Sequence, residues 1–220
     1  MATSNLMMQS GSFNPTLQPF LDDNINVLKI KTRVLQEQLD QAVVLTQILS
    51  SKLSLSQYFN IMCKFYASYA QVEKRVLNFE SKIDLVHAAP YKTRLPSLEF
   101  ELSDIANKLQ LKLPIPQPKY LVMGEGSILE KYWGIRYALD CFSQTAVMVL
   151  PKIEHTLGYE YNLSMAFWRK LIEVDADWLR TSTTINSLPI EHIERSELVH
   201  CAQETFILIS ENMAGRPSGV

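Results

Sequence analysis

The sequence is poor in residues that punctuate or cross-link a chain. It has 7 glycines and 3 cysteines in 220 residues. Cys63, Cys141 and Cys201 are odd in number and far apart, with no C-x-x-C spacing, which excludes a zinc ribbon or a thioredoxin-type motif. They read as small buried hydrophobes. No apolar run reaches the roughly 18–20 residues of a membrane span, so no membrane partner is expected. A basic excess is also missing. Lys and Arg total 21 against 23 Asp and Glu, a formal charge of −2, and the pI is near 6.1. A general nucleic-acid binder would carry a basic face, so nucleic acid is not an expected partner. Residues 1–24 lack the basic start and apolar core of a secretory signal, and a reducing, cytoplasmic setting is expected. No phosphate-cradling glycine loop or G-x-S-x-G elbow occurs, which argues against nucleotide and hydrolase chemistry.

What is present is helical rhythm. Hydrophobic residues make up 47% of the chain, enough to bury a substantial core. Ile25, Leu28, Thr32, Leu35, Leu39 and Val43 recur at spacings of three and four, predicting a helix capped by Asp22, Asp23 or Asn24. Ser54 and Gln57 have capping-box spacing. Leu55, Tyr58, Met62, Phe65, Tyr69, Val72 and Val76 then continue one stripe. Leu95, Leu98, Leu102, Ile105 and Leu109 mark a third helix. Pro114, Pro116 and Pro118 form a stiff connector. Residues 120–150 are apolar but interrupted by Gly124, Gly126 and Gly134, predicting a bent helix. Pro151 marks a further break. Two more helices are expected over 163–179 and 189–213, the latter with Pro189 in its first turn and Ser187 as its cap. No run of period-two strands is readable. The expected fold is all-α, a compact single-domain bundle of about six to eight helices. Residues 1–20 would form an irregular arm, 21–214 the helical domain and 215–220 a tail.

Two stretches within this pattern resemble the haem oxygenase family, in its bacterial biliverdin-producing branch. The first is Leu28-Lys29-Ile30-Lys31-Thr32-Arg33-Val34-Leu35-Gln36-Glu37-Gln38-Leu39-Asp40. In that family this pattern opens the proximal helix, with a histidine between the leucine and the glutamate. The second, Glu125-Gly126-Ser127-Ile128-Leu129-Glu130-Lys131, is similar to the E-G-S-x-L-G-G element of the distal helix. Weaker similarity over 53–76, 94–105, 167–179 and 191–213 follows the family's order. The resemblance implies an all-helical fold with haem held between two helices. It also implies conversion of haem to biliverdin, carbon monoxide and iron, with oxygen and an electron donor as partners.

The sequence departs from the family pattern on both faces of the implied haem. Gln36 stands at the proximal-ligand position. An amide oxygen is weakly basic and an amide nitrogen has a delocalised lone pair, so Gln36 is a poor substitute for the imidazole that holds haem iron. Glu130 and Lys131 stand where the family's paired glycines let the distal backbone approach haem and oxygen. An unpaired carboxylate buried there would cost on the order of several kcal/mol. Gly126 and Ser127 are retained as distal-helix positions. Lys29 lies two helical turns before Gln36, and the resemblance implies a partner for a haem propionate; read from the residues alone it is equally a solvated lysine. Arg169 and Lys170 offer the same charge.

The function expected from this balance is a degenerate haem-oxygenase-like protein. It would bind a tetrapyrrole, another ligand or a protein partner without the usual haem cleavage. The first alternative is an active haem oxygenase that uses another axial ligand. The second is a di-iron oxidase on the same scaffold, suggested by the Glu197-x-x-His200 pair with Glu73, Glu125, Glu130 and Asp175 as further carboxylates. Nothing in the sequence fixes these carboxylates around one centre, so no metal site is assigned. None of His87, His155, His192 and His200 falls at the proximal position.

Overall fold

The computed structural model of the protein describes residues 23–84, 90–113, 127–188 and 192–214. Those residues form nine α-helices and no strand, an all-α bundle. The expected arm at 1–20, the tail at 215–220, the 114–118 connector, and Gly124, Gly126 and His87 lie outside the described residues.

Helix α1 spans Asn24–Asp40. Asp23 caps it, its carboxylate accepting the Asn26 N–H at 2.6 Å. Ile25, Leu28, Thr32 and Leu39 form its buried face. The helix stops before Val43, which is exposed. Ala42 takes an extended conformation and the chain turns into α2 (Val43–Ile48), a change of direction that buries Val44, Leu45 and Ile48 instead.

Helix α3 (Leu55–Glu80) begins with the expected capping box, in which both reciprocal bonds between Ser54 and Gln57 form. Helix α4 (Leu95–Leu109) matches its sequence pattern end to end and closes on Gln110 in the left-handed region, with Leu111 N–H reaching back to Ala106 O at 2.9 Å.

The 120–150 segment differs from expectation. Its described part is α5 (Ile128–Ser143) and α6 (Ala146–Ile153), separated at Gln144–Thr145 and not at a glycine. Gly134 sits inside α5 for a packing reason. A Cβ there would lie 2.5 Å from Leu198 O and 2.9 Å from Cys201 Cβ, so the absent side chain lets α5 lie against α9 (His192–Ala214). Pro151 falls within α6, on its exposed side, and marks no break there. A π-turn over Glu154–Gly158 and a single turn over Tyr159–Tyr161 prolong α6.

The expected 163–179 helix is two helices, α7 (Ala166–Asp175) and α8 (Trp178–Ser187), divided by a turn at Ala176–Asp177. Ser187 closes α8, its hydroxyl donating to Thr184 O at 2.8 Å. Residues 189–191 lie outside the described residues.

Helix α5 runs through the middle of the molecule. Every residue from Glu130 to Ser143 is buried, with α9, α3, α7 and α8 packed round it. Helix α9 also packs on α1 and α3. An aromatic knot holds the centre: the Phe65 ring lies 5.5 Å from those of Phe142, Phe167 and Trp168.

Candidate functional site

The two helices implicated by sequence meet at one side-chain pair. On α1, Thr32 Oγ donates to Leu28 O at 2.8 Å and lies 3.4 Å from Tyr137 Oη of α5. Both residues are fully buried, so the helices touch at this point. Gln36, one turn beyond Thr32, is half-buried, and Lys29 is exposed. On α5, Ser127 is the N-cap, accepting Leu129 N–H at 3.3 Å. Glu130 is buried at 2% exposure and Lys131 at 7%. Among the described residues Glu130 Oε2 has no hydrogen-bond partner, and neither has the indole N–H of Trp133, one turn along. At 100° per residue Glu130, Gly134, Tyr137 and Cys141 share one stripe. Gly134 turns that stripe toward α9 and Tyr137 turns it toward α1.

The donor set along these two helices is therefore an amide, two hydroxyls and a carboxylate, with Gln36 and Glu130 on opposite sides of the Thr32–Tyr137 contact. It lacks the neutral imidazole by which haem iron is commonly held. His200 is on α9, 3.2 Å from Glu204, and His155 is exposed on the π-turn. These residues do not fit a haem held through imidazole. The other propionate candidates are engaged elsewhere: Arg169 pairs with Glu154 at 2.8 Å and Lys170 with Glu173 at 2.9 Å. The di-iron carboxylates are dispersed. Glu197 accepts from Cys201 Sγ at 3.6 Å, Glu73 lies in a separate network described below, and Glu125 is outside the described residues. No group of three or more metal-ligating side chains occurs among the described residues.

Two buried polar clusters escaped the sequence reading. In the first, Glu73 of α3 accepts from Tyr91 Oη, Thr93 Oγ1, Arg94 N and Leu95 N at 2.6–3.0 Å. Arg94, fully buried, pairs with Asp140 of α5, which also accepts from Arg136 Nε at 3.4 Å. Arg136 donates to Tyr132 Oη at 2.7 Å, and Tyr132 donates to Glu80 at 2.8 Å. The cluster ties the start of α4 to α3 and α5. In the second, Glu101 of α4 accepts from Tyr58 Oη and from Phe167 N–H at 2.8 Å, the latter bond closing the start of α7. Tyr58 in turn accepts the Trp168 indole N–H at 2.8 Å. Burial pushes the Glu101 carboxyl up to about 7. One signal for the first cluster was available: Arg136 and Asp140 stand inside the apolar run from Tyr132 to Phe142, where a charge needs a partner.

A cleft of about 420 Å³ opens between α1 and α9, lined by Val27, Lys31, Arg195, Val199, His200 and Gln203. All three thiols are free, and burial pushes Cys63 up to about 11 and Cys141 and Cys201 up to about 12, away from nucleophilic use. No helix among the described residues is long and apolar enough to cross a membrane.

Neither a protein-family model nor a curated protein matches the sequence. Among solved structures the chain is similar to the haem oxygenase of Neisseria meningitidis, determined with NO and CO bound. The TM-score is 0.60 at 16% identity, over 90% of this chain and 96% of that one. The chain therefore has a haem-oxygenase-like, all-α fold.

Proposed function

We propose that this chain is a haem-oxygenase-fold binding protein that does not cleave haem and holds a metal-free tetrapyrrole. The observation that carries the reading is Glu130. Its carboxylate is buried on the stripe of α5 that faces α1 and α9, with one oxygen unpartnered among the described residues. A buried carboxylate oxygen without a donor is costly. A linear tetrapyrrole brings pyrrole N–H donors that answer Glu130, and lactam carbonyls that answer the Trp133 indole N–H. Haem offers neither, because iron occupies its pyrrole nitrogens. Lys29, exposed near the start of α1, would meet an acidic side chain. The contact between Thr32 and Tyr137 closes the middle of α5, so the ligand would seat toward the N-terminal half of that helix. The three unpaired thiols agree with a reducing, cytoplasmic setting.

Parallel titrations with biliverdin and haemin test the proposal. The expected result is a saturable change in biliverdin absorbance at one pigment per chain, with no sharp Soret band from haemin. Glu130→Leu should weaken biliverdin binding by at least about tenfold, the loss of one charge-assisted bond. A sharp Soret band at one haem per chain, followed by biliverdin release on adding reductant, would instead establish an active haem oxygenase. Purification with about two irons per chain and no porphyrin would establish the di-iron reading. No response to either pigment would overturn the tetrapyrrole assignment.

A further inference from the structure

We infer that the cleft between α1 and α9 is a binding site for a small organic acid, a carboxylate head on a short apolar body. This site is separate from the one proposed above. On α1, Val27 and Lys31 lie one turn apart, whereas Thr32 and Gln36 lie about 140–180° round the helix from Val27. A ligand in the cleft therefore meets a different face.

The cleft has a preorganised cation. Arg195 Nε donates to Asn24 Oδ1 at 3.1 Å. Asn24 is itself buried at 3% exposure, and its amide N–H group donates to Ile185 O at 2.8 Å. The guanidinium is thus held from behind by a side chain anchored to the end of α8. Among the described residues its two terminal nitrogens have no hydrogen-bond partner and remain to grip an oxyanion end-on, the fork geometry that suits a carboxylate.

A second cation stands across the cleft. Lys31 is exposed, and its backbone carbonyl accepts the Gln203 side-chain N–H at 2.9 Å, which sets the spacing of α1 and α9 at the cleft. His200 stands at the rim, held by Glu204 one turn further along α9.

The floor is apolar. Val199 is buried and Val27 half-buried, both lining the cleft. Two cations over a valine floor select an anion with an apolar body, not a fully hydrated inorganic ion. The volume of about 420 Å³ lies within the roughly 300–1,000 Å³ of small-ligand pockets.

The test is an amide NMR titration of the full chain with octanoate, with octylamine and inorganic phosphate as comparisons. Octanoate should saturate, with shifts centred on Val27, Lys31, Val199 and Gln203. Octylamine should give none, and phosphate should bind more weakly than octanoate. Lys31→Glu and Arg195→Gln should each weaken octanoate by about tenfold or more, the effect of losing a charge-assisted contact. Lys31 is exposed, so its variant decides the matter even if Arg195→Gln, which also loses Asn24, fails to fold. The site is refuted by no saturation at about 10 mM octanoate, beyond the weak end of specific binding. Equal binding of octylamine, phosphate binding as tightly as octanoate, or unchanged affinity in Lys31→Glu would refute it too. None of these results depends on whether a tetrapyrrole binds between α1 and α5.

Discussion

Glu101→Gln should change how stability depends on pH. Glu101 is buried between α4 and α7, and burial lifts its pKa to about 7 from the ordinary glutamate value of 4.5. Below the lower value the carboxyl is protonated in both folded and unfolded chains and imposes no penalty. Between the two values the unfolded chain gives up its proton while the folded chain keeps it, so folding takes up a proton. Stability therefore falls as pH rises through this window. Above about 7 both states are ionised and the whole penalty persists. At about 1.4 kcal/mol per pK unit, the separation corresponds to about 3 kcal/mol.

Glutamine imitates the neutral carboxyl. Its carbonyl can accept the Phe167 N–H while its amide donates to Tyr58 Oη. The Tyr58 hydroxyl then has Met165 Sδ, at 3.9 Å, as an alternative acceptor. Urea unfolding followed by circular dichroism at about pH 5 and about pH 8 measures the effect. The wild type should lose about 2.5 kcal/mol more over that interval than the variant, because part of the loss is already present at about pH 5. Equal pH dependence in the two proteins would show that Glu101 titrates normally and that its burial has been misjudged.

Three further outcomes are expected. Gly134→Ala should destabilise by about 1–3 kcal/mol, because a Cβ 2.5 Å from Leu198 O forces α5 and α9 apart; an unchanged thermal midpoint would contradict this. Arg94→Met should cost about 3–5 kcal/mol in urea unfolding, since it leaves Asp140 buried with a weaker partner set, and a loss below about 1 kcal/mol would show the pair to be dispensable. Gln36→His should not by itself yield a sharp haemin Soret band. Adding Glu130→Gly and Lys131→Gly should yield one, as the distal backbone becomes able to approach the porphyrin.

The helices that were legible in the sequence are those whose signals are local. The capping box at Ser54 and the closed periodicity of 95–109 need no knowledge of the rest of the chain. The breaks at Ala42, Gln144–Thr145 and Ala176–Asp177 were not legible, because no glycine or proline marks them. At Ala42 the turn leaves Val43 exposed and buries Val44, Leu45 and Ile48. The role of Gly134 was hidden for a related reason: a glycine chosen for close approach to a distant helix looks, in sequence, like one chosen to bend its own. The contrast is sharper for charge. Periodicity assigns charged residues to the solvated face, yet Arg94, Asp140, Glu73 and Glu101 are interior, each made tolerable by a partner 18 or more residues away. That Glu130 points inward was an expectation of the family resemblance; the absence of a described partner for Oε2 required the structure.

The bonds joining α1 to α8 and α9 have a consequence for synthesis. Asn24 reaches Ile185 across 161 residues of chain, and Lys31 meets Gln203 across 172. A growing polypeptide therefore presents its first described helix long before that helix's partners leave the ribosome. Until then the face of α1 that packs on α9 lacks that neighbour. The bundle closes last where it was begun first.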